Sequence, residues 1–460
     1  VERFLGDQAI SEGWQPQRAA ARSGKRVLVV GAGPSGLSAA YHLALLGHDV
    51  TIRDAAPAAG GMMRYGIPKY RLPRDVLDQE VQRIANLGVT FQLGQHVSDV
   101  IAEQLAGHYD AVFLAVGAQL PQRAYVPAGS AAKVLDAIAL LRDMEDGSAG
   151  PPLLGRRVAV YGGGNTAMDA ARTARRLGAD ESIIVYRRTR DRMPAHESEL
   201  QEALQEGIQV RWLTTIRHAD KGKLTIERME LDADGYPRPT GELEELDADT
   251  LVLATGQQTD LSLLEGVAGI EKDDGVVTVD QNLMTGHAGI FAGGDMVPAQ
   301  RTVTVAIGHG RRAAHGIDRW LLGQEGVAEW GVHDSASVTG VGPAPRAEEV
   351  AFEALNTWYY ADAPRTVRPQ LDRVRRSSTF DEVVLGLDQS NALFEARRCM
   401  SCGNCLACDN CYGVCPDNAV IKLEPPGAYA YAFDLDFCKG CGLCAQECPC
   451  GAIQMQPELI

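Results

Sequence analysis

The chain has 460 residues, 45% of them hydrophobic, an ordinary globular content with room for about three domains. Its formal charge of −16 argues against a nucleic-acid binder, which needs a basic face. No apolar run reaches the length of a membrane span and no charged-then-apolar secretory leader is present, so no membrane partner is expected; the first residue is Val1 rather than Met, and a missing upstream segment is expected.

Residues 1–23 read as an N-terminal linker segment. KRVLVV (Lys25–Val30) predicts a buried strand. It runs into Gly31-Ala-Gly33-Pro34-Ser35-Gly36, a helix follows through about Leu46, and a second strand, Asp49–Arg53, ends at Asp54. These are the parts of a βαβ dinucleotide fingerprint in order. Gly31 makes the tight turn, Gly33 lets the backbone approach a pyrophosphate, and Gly36 lets helix and strand pack closely. The helix N-terminus, opened by Pro34 and Ser35, faces the phosphates. Asp54, eighteen residues after Gly36, is placed to accept from ribose hydroxyls.

A second fingerprint follows. RRVAVY (Arg156–Tyr161) leads to Gly162-Gly-Gly164-Asn165-Thr166-Ala167, a helix to about Leu177, and a strand at Ser182–Tyr186. The acid expected after that strand is replaced by Arg187 and Arg188, with Arg192 close by. An acid suits the free 2′-hydroxyl of NAD, whereas an arginine accommodates the 2′-phosphate of NADP. The site is therefore read as a nicotinamide site leaning to NADP(H), with NAD(H) left open and a solvated arginine loop as the alternative. His196, nearby in MPAHESE, is read as an ordinary loop residue.

Two short strands, Ala111–Val116 before Gly117 and Thr250–Thr255 before Gly256, bracket the second fingerprint. They predict that the second nucleotide domain is inserted into the first, with crossing strands near 117 and 256. Residues 221–250 read as a hairpin with GYPRPTGE at its tip. A further strand turns at Gly294-Asp295, and a helix is expected from about Thr302 to Leu322. The Gly-, Ser-, Pro- and Ala-rich stretch 324–346 predicts a linker. Residues 347–398 read as mostly helical, with basic patches at Arg373, Arg375 and Arg376.

All eleven cysteines fall in the last 62 residues. They repeat one pattern: Cys405-x2-Cys408-x2-Cys411-x3-Cys415-Pro416, then Cys438-x2-Cys441-x2-Cys444-x3-Cys448-Pro449, displaced by 33. This is the run that holds two [4Fe–4S] clusters in bacterial ferredoxins, where the cysteine before proline ligates the other cluster. The crossing assigns Cys405, Cys408, Cys411 and Cys448 to one cluster, and Cys438, Cys441, Cys444 and Cys415 to the second. Structural zinc and a disulfide scaffold leave the duplicated spacing unexplained. Cys450 aligns with Asp417 and is not needed by the repeat. Cys399 and Cys402 extend the ladder backward; they read as a spare pair or as ligands of a further cluster. The segment holds two basic residues, Lys422 and Lys439, against seven acidic ones, so a docking partner with Lys or Arg is expected.

The ordered set VLVVGAGPSGLSAAYHLALLGHDVTI, GGMMRYGIPKYRLP, GGGNTAMDAARTA, YRRTRDRMPA, LATGQ and AGGDMVPAQRTVTVAIGHGRRAA resembles the small-subunit family of glutamate synthase, over about residues 1–323. The resemblance implies FAD at the first fingerprint and NAD(P)H at the second. It implies that Gly60, Gly61 and the YGIP segment line the flavin pocket, and that Asp295 and the helix start at Thr302–Val303 hold the flavin. The family's N-terminal cluster domain is expected upstream or on another chain, because no cysteine precedes Cys399. With its ferredoxin-like tail the chain is similar to two stand-alone branches. One comprises NAD(P)H:acceptor oxidoreductases associated with dissimilatory sulfite reductase. The other comprises NAD(P):ferredoxin oxidoreductase subunits that accompany 2-oxoacid:ferredoxin oxidoreductases.

The expected fold class is α/β: two Rossmann-like dinucleotide-binding domains, one inserted in the other, plus a C-terminal α+β ferredoxin-like domain. The expected boundaries are 24–117 with 256–323 for FAD, 118–255 for NAD(P), 324–398 for a linker or helical segment, and 399–460 for the clusters. Nicotinamide exchanges two electrons and a cluster one, so a flavin is needed between them. No acid–base residue is required. The expected partner is a ferredoxin or a redox subunit of the 2-oxoacid:ferredoxin oxidoreductase or sulfite reductase type, in a homodimer or a hetero-oligomer, in a reducing cytoplasm. A disulfide reductase of the thioredoxin reductase kind needs a CxxC beside the flavin, and residues 1–398 contain no cysteine. Two alternatives stay open: an electron-transfer scaffold with a vestigial nucleotide site, and a subunit of an electron-bifurcating or glutamate synthase complex.

Overall fold

The computed structural model describes residues 1–16, 21–122, 126–129, 132–146, 152–323, 350–423 and 431–457. The linker expected at 324–346 lies outside the described residues. The chain divides into two compact units. One comprises Gly6–Ala328 and Pro369–Leu385; the other comprises Val1–Leu5, Glu329–Arg368 and Gly386–Ile460. The stretch expected as an N-terminal linker carries a helix at Glu2–Ser11.

The larger unit holds two parallel sheets. In the first, the order is Ile290–Ala292, Ala111–Leu114, Arg26–Val30, Asp49–Asp54 and Thr90–Leu93. Its central strand is an unbroken apolar run because both faces are covered; Val27, Leu28 and Val29 are fully buried. Ala39 and Leu43 of the helix Pro34–Leu45 and Ala313 and Ile317 of the helix Val303–Leu321 join Phe113 and Phe291 in that core.

The second sheet runs Val134–Asp136, Thr250–Leu253, Arg157–Tyr161, Glu181–Val185 and Gln209–Arg211, again all parallel. All its strands lie between residues 134 and 253. The chain crosses between the two sheets twice, and the crossings pair: Leu120–Pro121 runs antiparallel to Gln257–Gln258. A three-stranded antiparallel sheet, Thr214–Asp220, Lys223–Leu231 and Pro237–Asp247, extends the second lobe. The expected hairpin tip is corrected here. The turn lies at 232–236, where the Asp232 carboxylate accepts from Asp234 N and Tyr236 N. Pro237 and Pro239 instead begin an edge strand, where a missing N–H is tolerated.

The expectation that 347–398 is mostly helical is also corrected. Its described part holds only Arg373–Ser378 and Gln389–Arg397 as α-helices, with single turns at Phe352–Ala354 and Thr357–Tyr359. Pro364 and Pro369 interrupt the stretch, each biasing the residue before it toward extended backbone. Residues 369–385 form a strap on the nucleotide unit. Val383 N donates to Tyr70 O at 2.9 Å, Arg376 Nη2 donates to Gln205 Oε1 at 2.7 Å, and Arg176 Nε donates to Thr379 O at 3.1 Å.

Under the strap the two lobes share a buried ionic knot. Arg71, from the first lobe, bonds Asp169 of the helix Asn165–Arg176 at 2.8 Å. On that helix Arg172 and Arg176 both bond Glu206, and all three side chains are fully buried. Burial pushes the Asp169 carboxyl up to about 6 against the pull of Arg71. Burial also works to raise Glu206, but the bonds from Arg176 and Arg172 outweigh it and hold the carboxyl below the usual range.

In the smaller unit, two short helices, Asn410–Val414 and Leu443–Gln446, sit on equivalent positions of the cysteine repeat. A hairpin pairs Val420–Lys422 with Tyr431–Phe433. Among the described residues, the buried ones around the thiols are few: Gly403, Cys411, Ala419, Val420, Cys448, Pro449 and Cys450. A core this small needs a cross-link or metal to hold it.

Candidate functional site

The first glycine loop opens onto a cavity of about 440 Å³ lined by Val30, Gly31, Asp54, Gly61, Tyr65 and Gly117 among others. A smaller neighbouring cavity is lined by Gly33, Pro34, Ser35, Gly61, Gly294 and Asp295. The glycines do two different jobs. A Cβ on Gly36 would stand 1.9 Å from Gly31 O, so protein packing alone demands glycine there. A Cβ on Gly33 would meet nothing nearer than Gly61 Cα at 3.9 Å; the space before it is free for a ligand. The helix Pro34–Leu45 begins with no side-chain cap, leaving its first N–H groups to face that space. Ser35 Oγ is buried with no hydrogen-bond partner.

Asp54 does more than the sequence suggested. Its carboxylate accepts from Ala32 N at 2.6 Å and from Ala56 N at 2.7 Å, clamping the loop to the strand end. A carboxylate has about four lone-pair positions, so acceptors remain for ribose hydroxyls. Gly60 and Gly36 are structural rather than lining: Gly60 N donates to Ala32 O at 2.9 Å. Thr302 Oγ1 caps the last helix by accepting from Val305 N at 3.2 Å. Neither Thr302 nor Val303 lines the two cavities; Ala306, one turn on, does. Burial raises the Asp295 carboxyl, opposed by Arg301. His309 Nδ1 accepts from Gly294 N at 3.1 Å, which fixes the turn before Asp295.

The second loop repeats the design. A cavity of about 640 Å³ is lined by Gly162, Gly164, Asn165, Thr166, Arg187 and Arg188 among others, with Gly256 on its far side. A Cβ on Gly164 would meet nothing within 4 Å, and the helix Asn165–Arg176 also starts without a side-chain cap. Ala167 is buried behind the loop. Arg188 Nε is buried and has no hydrogen-bond partner. Arg192 does not line the cavity; its backbone O accepts from Tyr186 Oη at 2.7 Å and its side chain is exposed. His196 gives its backbone N to Asn165 Oδ1 at 3.0 Å.

Several lining residues lie outside the nucleotide fingerprints. Arg142 reaches the first cavity from the second lobe and lies over the Tyr65 ring. Arg301 reaches the second cavity from the first lobe, with Nη1 donating to Gln257 O at 2.7 Å. Gln122 and Tyr161 complete the second wall. Each lobe thus places an arginine in the other's cavity.

In the smaller unit Cys405, Cys408, Cys411 and Cys448 line one cavity of about 80 Å³, and Cys450 joins them. Among the described residues no three His, Cys, Asp or Glu side chains converge as a single metal ion would need. The repeat carries a matching hydrogen bond in each half: Ala419 N donates to Cys415 Sγ at 3.2 Å and Ala452 N to Cys448 Sγ at 3.3 Å. Backbone N–H groups of Asp417, Ala419 and Val420 hold the Cys415 thiol below its usual range, which suits a thiolate ligand. Cys415, Cys438, Cys441 and Cys444 form the other set by sequence, and Lys439 feels both Cys441 and Cys415. Cys399 and Cys402 are exposed and do not line the first cavity.

The sequence profile described as pyridine nucleotide-disulphide oxidoreductase matches residues 25–310, and that of the 4Fe-4S binding domain matches 431–454. The NADP(+)-dependent formate dehydrogenase subunit beta of Moorella thermoacetica is 38% identical over 87% of this chain, which spans 61% of that relative's length. The glutamate synthase [NADPH] small chain of Escherichia coli (strain K12) is 32% identical over 70% of this chain and 74% of its own. Among solved structures, Mycobacterium tuberculosis FprA in complex with NADPH shares the fold with a TM-score of 0.57, at 19% identity, over 65% of this chain and 85% of that one.

Proposed function

The chain belongs to the pyridine nucleotide-disulphide oxidoreductase family, and from that premise we propose that it passes electrons between NADP(H) and a one-electron redox partner. Its cofactors are FAD, a nicotinamide dinucleotide and 4Fe–4S clusters. FAD supplies the conversion between paired and single electrons.

The chain's own residues bind and orient. The uncapped helix starts at Pro34 and Asn165 offer N–H groups to the two pyrophosphates. Asp54 offers its remaining lone pairs to the ribose of FAD. Arg187 and Arg188 stand at the strand end where a 2′-phosphate would lie, and the unpartnered Nε of Arg188 favours NADP(H) over NAD(H). Asp295, held by the His309-fixed turn, closes the flavin side. Cys405, Cys408, Cys411 and Cys448 would hold one cluster, and Cys438, Cys441, Cys444 and Cys415 the other. The observation that carries the reading is the open space before Gly33 and Gly164, which nothing in the protein fills.

The partner proposed is a basic-surfaced redox protein, a ferredoxin or a subunit of the 2-oxoacid:ferredoxin oxidoreductase or sulfite reductase type, because the cluster segment is acidic. The names of the relatives, subunit beta and small chain, support a role inside a larger assembly. Eleven free cysteines suit a reducing cytoplasm, and no described helix is long and apolar enough to cross a membrane.

The test is anaerobic reduction with NADPH and, separately, NADH, followed by flavin bleaching and low-temperature EPR. Bleaching by NADPH with cluster signals is the expected result. Bleaching without cluster signals would favour flow from a reduced partner toward NADP+. No bleaching with either nucleotide would overturn the dehydrogenase reading.

A further inference from the structure

We propose that Cys450 is a reserve ligand of the first cluster, able to replace the crossing ligand Cys448. This rests on the assignment of Cys405, Cys408, Cys411 and Cys448 to that cluster. Five thiols, not four, line the cavity concerned. The Sγ atoms of Cys448 and Cys450 lie 3.8 Å apart, and Cys450 is the more buried of the two, at 1% against 8% exposure. Pro449 separates them, and its fixed φ holds the two side chains in a set relation. Cys450 is also tied to the segment before the repeat, since Gly403 N donates to Cys450 O at 2.6 Å. Cys450 also lies outside the repeat, so the spacing of the ladder leaves it without a task.

The two halves of the repeat differ at this point. Where the first cavity has Cys450, the 33-residue shift places Asp417 beside the other crossing ligand, Cys415. Asp417 is committed to Lys439, 3.1 Å away. The second cluster therefore has no spare thiol at the equivalent position. In the exchange, the iron–sulfur bond to Cys448 breaks and one to Cys450 forms. The Cys450 thiol gives up its proton as the released Cys448 thiolate takes one, and no oxidation state changes.

The test uses the full chain purified anaerobically, with iron, acid-labile sulfide and low-temperature EPR of the reduced clusters as readouts. Flavin content monitors the nucleotide unit. Cys448→Ala and Cys450→Ala, each alone, are expected to keep the iron and sulfide of the unaltered chain. Cys415→Ala and the double variant Cys448→Ala/Cys450→Ala are each expected to lose about half, one cluster of two. The proposal is overturned if Cys448→Ala alone loses half, or if it fails to accumulate as folded protein. It is equally overturned if Cys450→Ala alone loses half, since Cys450 would then be the resident ligand. An unaltered chain without iron would instead overturn the cluster assignment on which the proposal rests.

Discussion

The Tyr70 ring lies 3.8 Å from the guanidinium carbon of Arg176 and 4.9 Å from that of Arg172, a fully buried phenol against two arginines. The ring comes from the first lobe and the arginines from the helix that opens the second loop. Glu206 bridges the pair from behind, Glu199 and Glu202 also bond Arg172, and burial raises the Tyr70 hydroxyl above its usual range, so the ring stays uncharged. The helix that opens from the second glycine loop is thus seated on a side chain of the other lobe.

Replacing Tyr70 separates packing from hydrogen bonding. Tyr70→Ala is expected to destabilise the nucleotide unit by about 3–5 kcal/mol, the range for emptying a buried aromatic site. Tyr70→Phe keeps the ring over Arg176 and loses only the 3.3 Å bond to Asp169 O, about 1 kcal/mol. Urea unfolding followed by flavin fluorescence reads both; equal losses would show that the arginines do not need the ring.

Asp169 gives stability a pH dependence of a definite sign. Its folded value of about 6 lies above the ordinary 3.8. Between those two values the native chain keeps a proton that the unfolded chain has released. The stability from this group is complete below about 3.8, declines as pH rises to about 6, and is level above that. The decline amounts to up to about 3 kcal/mol. Asp169→Asn is expected to flatten the urea midpoint across that window, and an unchanged slope would place the titration elsewhere.

Gly33 and Gly36 should fail in different ways. Gly36→Ala puts a methyl group on Gly31 O and is expected to leave little folded protein. Gly33→Ala meets no protein atom closer than 3.9 Å, so the chain should fold yet purify with strongly reduced flavin. Thermal melts and flavin-to-protein ratios distinguish the two outcomes; a Gly33→Ala chain with full flavin would contradict the phosphate-loop assignment.

Arg188→Ala is expected to raise the KM for NADPH about 10- to 100-fold, the loss of one charge-assisted contact to phosphate. The KM for NADH should hardly move. The same substitution at Arg192, exposed and outside the cavity, should leave both constants near the starting values. Steady-state kinetics with a dye acceptor measures the ratio, and a parallel loss for both nucleotides would mean that Arg188 does not read the 2′-phosphate.

What was legible in the sequence was local. The strand–glycine–helix runs at Arg26 and Arg157 and the cysteine ladder declare themselves within a few dozen residues, because turn, helix start and thiol spacing are neighbours in the chain. Arg142 and Arg301 were not legible as cavity residues, since each serves the lobe its sequence does not belong to. The Tyr70–Arg176–Glu206 contacts were hidden for the same reason: partners separated by 30 residues or more carry no periodic signal. The stretch that includes the strap was misread as mostly helical because its charged composition permits a helix, whereas Pro369 and the bonds to Tyr70 and Gln205 confine the strap's helix to Arg373–Ser378.

That strap sets where the chain can be cut. A protease or engineer dividing it after residue 323 would take away Val383 and Arg376 along with the clusters, stripping a cover from the ionic knot beneath. The ferredoxin end is therefore not a cassette that begins where the helix Val303–Leu321 ends. No single cut parts the units cleanly, because 329–368 belongs with the clusters and 369–385 with the nucleotide body; exchange of tails between related chains should succeed only when each stretch stays with its own unit.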